Sequence, residues 1–216
     1  MAAGKNTHLT QVEDRIIIEG SQGGKDAINI LKERGKCVAG NKSGGVVTTK
    51  WDGAPAIICG TDPADGNFFV GTKSVFAKTE PKVCKTNEDI SKWYSGVLAE
   101  KLKSSLKYLK DAGIKGVLQG DLMFTNDKRT ERINGRNYVT FRPNTITYAA
   151  EKGSDLEKSI SKAKIGIVMH TKYTGNSLPE MSASFNVNAN ECESSGNVWA
   201  ERAEVQEVTC VDSFAG

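Results

Sequence analysis

At 216 residues, with 38% hydrophobic and 25% charged side chains, the chain is long enough to bury a substantial core and too apolar to stay disordered. Its net charge of +3 permits a nucleic-acid partner without demanding one, and its five scattered cysteines (Cys37, Cys59, Cys84, Cys192, Cys210) never approach Cys-x-x-Cys spacing, which favours reduced cytosolic thiols over a disulfide framework or structural zinc. No apolar run reaches membrane-spanning length and the first five residues lack the hydrophobic core of a signal peptide, so the expected location is cytoplasmic.

In chain order, residues 6–20 and 24–34 predict two short helices, the second turning Ala27, Ile28, Ile30 and Leu31 inward and stopped by Gly35. They form an N-terminal helical cap over residues 1–40, followed by one larger domain over 41–216. The stretch Gly20-Ser21-Gln22-Gly23-Gly24-Lys25 is superficially like a phosphate loop. It lacks the full Gly-x-x-x-x-Gly-Lys-Ser/Thr pattern and a clean preceding strand, so it reads as a helix-entry loop. After a turn cluster at 41–45, the β-branched run 46–49 leads into Lys50-Trp51-Asp52-Gly53. Residues 54–60 and 68–74 predict a hairpin around the turn cluster 61–67, with Lys73 and Ser74 at its basic end.

A helix is expected over 88–112, because Ile90, Trp93, Val97, Leu98, Leu102, Leu106 and Leu109 recur near a 3.6 period and Gly113 supplies the C-cap. Its lysines, Lys101, Lys103, Lys107 and Lys110, read as a solvated face in preference to the alternative, a nucleic-acid surface. Residues 115–124 form a strand with Gly120-Asp121 in its middle. A hairpin turning at Asn134-Gly135 is flanked by Arg129, Arg132, Arg136 and Arg142, cations that either hold a triphosphate or nucleic-acid end or are simply exposed. A helix over 154–163 opens on the capping box Ser154-x-x-Glu157, and 164–170 is a strand ending on His170, which reads as a satisfied histidine at a strand end in preference to a contact for phosphate or substrate. Beyond 184 the pattern weakens, with a loop over 186–196 and an alternating strand over 198–211.

Two places concentrate chemistry. A lysine amine at position 50, once it has shed its proton, can attack the α-phosphorus of a nucleoside triphosphate and hold the nucleotide as a phosphoramidate. Asp52 can orient that lysine or a metal-bound water, and Gly53 lets the backbone turn close to phosphate. Asp121 is a carboxylate set mid-strand in an apolar segment, a costly position unless it faces a metal or a ligand. With two histidines and no clustered ligands, a histidine-based zinc site is not expected.

This order of lysine, basic strand end and mid-strand acid resembles the covalent nucleotidyltransferases, meaning DNA ligases, RNA ligases and mRNA-capping guanylyltransferases, from about residue 46 to about 148. Over a longer stretch, about 6 to 188, the chain is similar to a narrower, uncharacterised group of tailed-phage nucleotidyltransferase-like proteins. Residues 7–9, 12–14, 49–56, 116–121, 141–145 and 164–171 carry that likeness. The resemblance implies an α+β fold of curved antiparallel sheets flanked by helices, a ligase-type adenylation domain with the nucleotide in a groove between sheet layers. It implies adenylylation of Lys50 and nucleotide binding by Asp52, Gly53, Lys73, Ser74, Asp121 and Tyr148, with Tyr148 or Phe141 stacking on the base and Asp52 and Asp121 as metal ligands. Lys50 and Asp121 are then expected on one groove with Lys73 at its rim.

ATP, with GTP as the alternative, and Mg²⁺ are the implied cofactors. A nucleic-acid end is the implied acceptor, and the implied activity is that of a phage polynucleotide ligase-like protein in the host cytoplasm. The chain departs from the family at Asp121, where a glutamate is usual, at Ala54 and Pro55 in place of serine or arginine, and at Thr48 in place of an acid. The later Glu-Gly and Lys-x-Lys strands are not found, and members of the phage group are often longer. A second reading therefore stays open, a non-catalytic nucleotide- or nucleic-acid-binding module or a phage structural or interaction protein on the same fold.

Overall fold

The computed structural model describes residues 12–38, 50–185 and 187–203; the elements expected at 6–11, 41–49 and 204–211 lie outside the described residues. Of the described residues, 51–202 form one compact unit, while 12–38, Lys50 and Ala203 belong to another. In that smaller unit a helical span, α1 (Val12–Val38), is broken at Gly20, whose φ of 60° and ψ of −133° leave the helical region. The residues read as a helix-entry loop are thus a kink followed directly by helix. Gly23 lies so near the Arg15 carbonyl that a Cβ there would sit 1.9 Å from its oxygen, and Arg15 pairs with Glu19 and Asp26 at 3.2 Å.

In the larger unit the hairpin strands are β1 (Ala56–Thr61) and β2 (Phe68–Gly71), joined by the expected turn. That turn is closed by Lys85, whose ammonium lies 2.7 Å from both Asp62 and Asp65, and the contact holds the Asp65 carboxyl down at about 2. The helix expected over 88–112 is two helices, α2 (Asn87–Trp93) and α3 (Gly96–Leu109). The apolar period runs through both, but Ser95 takes an extended N-cap conformation and Gly96 has a φ of 59°, which breaks the backbone. Then follow β3 (Val117–Phe124), β4 (Arg129–Ile133), β5 (Arg136–Phe141) and β6 (Tyr148–Glu151). The β4–β5 turn carries Asn134 and Gly135 at φ of 49° and 82°, the two positive values an Asn-Gly hairpin turn requires.

Helix α4 (Asp155–Lys162) is capped as its sequence predicts at Ser154, whose hydroxyl accepts from Glu157 N–H at 3.1 Å, although the Glu157 carboxylate reaches Gly153 N–H instead of closing the box. At its other end the Lys128 ammonium caps the carbonyls of Ile160 (2.6 Å) and Ala163 (2.5 Å). The chain ends its described part with β7 (Ile165–Thr174), β8 (Ser182–Ser184) and β9 (Val198–Arg202).

The class is α+β with two sheets, but the ligase-type architecture is not formed. One sheet runs β2-β1-β3-β7-β8 with β9 also on β7, and the other is a separate three-stranded meander, β4-β5-β6. Among the described residues no strand is shared between them, and neither curls or closes as an adenylation domain requires. Nor is the pairing wholly antiparallel: β9 lies parallel to the first half of β7 while β8 takes the second half, so the sheet forks at its edge. One face of the large sheet packs Ile57, Leu118, Leu122, Ile167 and Met169 against Ala99, Leu102 and Leu109 of α3. The other gathers Ile58, Phe69, Val75, Val117 and Tyr173.

Cys59 and Cys192 lie in the first of these cores and Cys84 beside them; burial, reinforced by neighbouring charge, pushes Cys84 up to about 11, Cys192 up to about 12 and Cys59 higher still. These free thiols are packing residues, not nucleophiles. No helix among the described residues is long and apolar enough to cross a membrane.

Candidate nucleotide site

The turn that follows Lys50 is built by backbone pairing. Ala54 N–H donates to the Leu122 carbonyl and Leu122 N–H to the Pro55 carbonyl, both at 3.0 Å, so residues 54 and 55 prolong the β1–β3 ladder beyond the Ala56–Asp121 pair. From α3, the Lys101 ammonium donates to the Ala54 carbonyl at 3.2 Å, a contact that the reading of its lysines as a solvated face missed. This pairing drives Gly53 onto Asp121. A Cβ at position 53 would lie 2.5 Å from Asp121 Cβ and 3.0 Å from Met123 Sδ, so the close approach of the two motifs needs a glycine.

Asp52 is consumed by the chain itself. Its carboxylate accepts from Asn144 Nδ2 at 2.8 Å and from the N–H groups of Thr145 at 2.7 Å and Ile146 at 2.9 Å, while its own N–H donates to the Tyr148 hydroxyl at 2.8 Å. Three donors fill most of the roughly four lone-pair sites a carboxylate offers. The geometry therefore makes Asp52 the clamp that holds the 144–148 segment over the turn. Tyr148 is stacked on Trp51 (5.3 Å between centroids) and on Phe141 (5.4 Å), and Phe124 and Trp199 complete the cluster. Phe141 is 4% exposed and thus out of reach of a base, and the Tyr148 ring is already committed to two neighbours.

Asp121 is the carboxylate left half open. Gly120 beside it is pressed against β7, where a Cβ would meet the Val168 carbonyl oxygen at 2.6 Å, so glycine lets the strands close up. Opposite them the ladder slips: Gln119 pairs with Thr171 but Gly120 with Met169, which leaves His170 as the extra residue of a β-bulge. The bulge brings His170 Nε2 to 3.5 Å from Asp121 Oδ1, with Nδ1 2.8 Å from Thr171 Oγ1. The two side chains are 21% and 23% exposed. His170 is a satisfied strand-end histidine, as its sequence suggests, bonded to Thr171, and it is at the same time the neighbour of the candidate acid; an apolar strand closing on histidine was its only signal.

The remaining predicted residues are placed differently. β2 ends at Gly71, and Lys73 is exposed at the head of a short 3₁₀ turn, Lys73–Phe76. The Ser74 hydroxyl is bound into a triangle with Thr72 Oγ1 (2.9 Å) and Tyr94 OH (2.8 Å). Lys50 is exposed and belongs to the smaller unit. Arg129 and Arg142 line a pocket of about 490 Å³ with Thr140, Phe141 and Thr147, balanced there by Asp127 and Glu131.

The chain belongs to the family of unknown function DUF6267, whose model matches residues 6–215. No curated protein and no solved structure matches it. Membership covers nearly the whole chain and lends it no activity.

As for a metal, among the described residues no group of three or more His, Cys, Asp or Glu side chains is arranged to hold one. That donor set does not make a dedicated metal centre. Mg²⁺ arriving with a triphosphate would need only one or two protein carboxylates besides the phosphate oxygens, and Asp121 is the half-open carboxylate that could be one.

Proposed function

We propose that the protein is a nucleotidyltransferase that takes AMP from ATP onto Lys50 and passes it to a nucleic-acid end. The carrying observation is the close approach of Gly53 to Asp121, which brings the Asp52-Gly53 end of the motif against the Gly-Asp strand at Asp121. Lys50 is joined to that turn by a single peptide bond. In the transfer the neutral amine of Lys50 forms a bond to the α-phosphorus and gives up one proton to solvent, the bond to the bridging oxygen breaks and pyrophosphate leaves. Mg²⁺, bound with the triphosphate, supplies charge neutralisation. Asp52 positions the turn, and Asp121 is the open carboxylate for metal or ribose. Free thiols in the core suit a cytoplasm.

A second reading has its own support. With Asp52 occupied by its three donors and Tyr148 by its two stacking partners, the same scaffold serves as a binding module without transfer. Intact-mass measurement after incubation with ATP and Mg²⁺ separates them. An added AMP that disappears in Lys50→Ala supports transfer; a wild-type protein that binds ATP without gaining mass supports the module, and an adduct that persists in Lys50→Ala refutes the assignment.

A further inference from the structure

The larger unit carries its charge unevenly. Between residues 73 and 115 stand ten lysines, no arginine and five acidic residues, a net +5 within a chain of net +3. Several of these lysines converge on a cleft of about 550 Å³ between α3 and the start of α2. Glu100, Lys103, Ser104 and Lys107 recur at the three- and four-residue spacing that puts them on one face of α3, the C-cap Lys110 continues the row, and Lys85 faces them from the other wall. Lys85 is engaged by Asp62 and Asp65, and Lys103 by Glu100 at 3.1 Å. Lys107 and Lys110 pair with no carboxylate among the described residues. Two partly exposed rings, Phe68 and Tyr108, also line the cleft, with the Lys107 ammonium 5.1 Å above Tyr108.

We infer that this cleft binds the backbone of single-stranded nucleic acid. Lysines spread over seven residues of helix span roughly 10 Å, the reach of two or three phosphates. Partly exposed rings beside them, though packed on the core on their inner side, offer unpaired bases a surface that a duplex, with its bases stacked internally, cannot use. The ammonium groups that no carboxylate offsets suit a polyanion, and the rings favour one with planar groups over an acidic peptide. Binding here needs no covalent step at Lys50, so it stands or falls separately from nucleotide transfer.

The test is fluorescence anisotropy with labelled oligothymidylate and oligouridylate of roughly 20 nucleotides, longer than the ~4–16 a comparable groove covers, without ATP. A duplex of the same length and polyglutamate run in parallel. Both single strands are expected to bind, at least tenfold more tightly than the duplex, with affinity falling as salt rises. Lys107→Gln combined with Lys110→Gln should weaken binding roughly tenfold and flatten the log–log salt slope by about 1.4, at ~0.7 for each phosphate left without its lysine. Lys158→Gln, on α4 and paired with Asp155, should change neither. Because Lys107 and Lys110 are exposed, the fold survives their replacement.

Tight binding of the RNA strand alone would keep the cleft and assign it to RNA. The inference is overturned if neither strand binds at low salt, if the double variant keeps wild-type affinity and slope, if the duplex binds equally well, or if polyglutamate binds with the same lysine dependence while the oligonucleotides do not. Adduct formation is read by mass in a separate sample, so its absence leaves this result intact.

Discussion

Asp52 and Asp121 flank the same glycine, and the chain treats them in opposite ways. Asp52 is surrounded by donors from residues 144–146, two of them backbone N–H groups, and its work is to hold one segment on another. Asp121 sits mid-strand, 23% exposed, with His170 at 3.5 Å as its partner among the described residues. A carboxylate consumed by its own backbone contributes stability and has little left for a cation; one left half open costs stability or adds nothing, and is free for chemistry. The sequence motif gives both residues the same role. The contrast between them is what the structure adds.

The contrast breaks most severely if the glycine between them is replaced. Gly53→Ala puts a Cβ 2.5 Å from Asp121 Cβ, an atom bonded to backbone that cannot swing aside. Overpacking of this kind costs about 1–3 kcal/mol, and the upper end is expected because Ala54 and Pro55 are hydrogen-bonded to Leu122 and fix the turn. Urea denaturation measures it; a variant as stable as wild type would mean that the turn is not held against β3.

Next in size is Asp52→Ala, which removes three hydrogen bonds to a charged acceptor. A loss of about 2 kcal/mol is expected, with faster amide hydrogen exchange at Thr145 and Ile146, the two N–H groups left without their acceptor. Unaltered exchange there would return Asp52 to the role of a free ligand. Asp121→Asn should do the reverse, costing under about 1 kcal/mol because it breaks one long, partly solvated contact. Magnesium-dependent ATP binding, read by calorimetry, should then weaken about tenfold, or ~1.4 kcal/mol. Full retention of metal-dependent binding in this variant removes Asp121 from the proposed site.

Much of this framework is legible in the sequence because its signals are local. The Asn134-Gly135 turn, the Ser154 cap, the hairpin around 61–67 and the Gly-Asp strand are each set by residues within a few positions. What escapes is non-local. The apolar period across 88–109 hides the break at Ser95-Gly96, where the neighbouring Tyr94 hydroxyl bonds to Thr72 and Ser74. Nothing in residues 198–202 announces a parallel partner in β7, nor does the alternation of β4, β5 and β6 say that they form a sheet of their own. At the candidate site, the spacing Lys-x-Asp-Gly marks the turn, but the donors that claim Asp52 lie more than ninety residues away and the bulge that brings His170 to Asp121 depends on register.

The smallest effect tests whether the rule extends beyond this site. Glu191, 7% exposed, is another carboxylate claimed by its own chain: the Lys172 ammonium is hydrogen-bonded to one oxygen and Asn188 N–H to the other at 2.8 Å. Burial pushes its carboxyl up, but the Lys172 and Asn188 contacts prevail and hold it below the ordinary glutamate range. Above that range the carboxyl is ionised in folded and unfolded chains alike, and the stabilisation is present in full. As the pH falls below about 4.5 the unfolded chain takes up the proton first, so stability drops until the folded carboxyl is protonated too. A single proton limits the slope to about 1.4 kcal/mol per pH unit. Glu191→Gln should flatten this acid limb in urea titrations between pH 3 and 5, while Lys158→Gln, which removes no carboxylate, should leave it in place. If the glutamine variant keeps the wild-type acid limb, pairing with Lys172 is not what makes Glu191 a stabilising residue, and the division between claimed and open carboxylates holds for Asp52 and Asp121 alone.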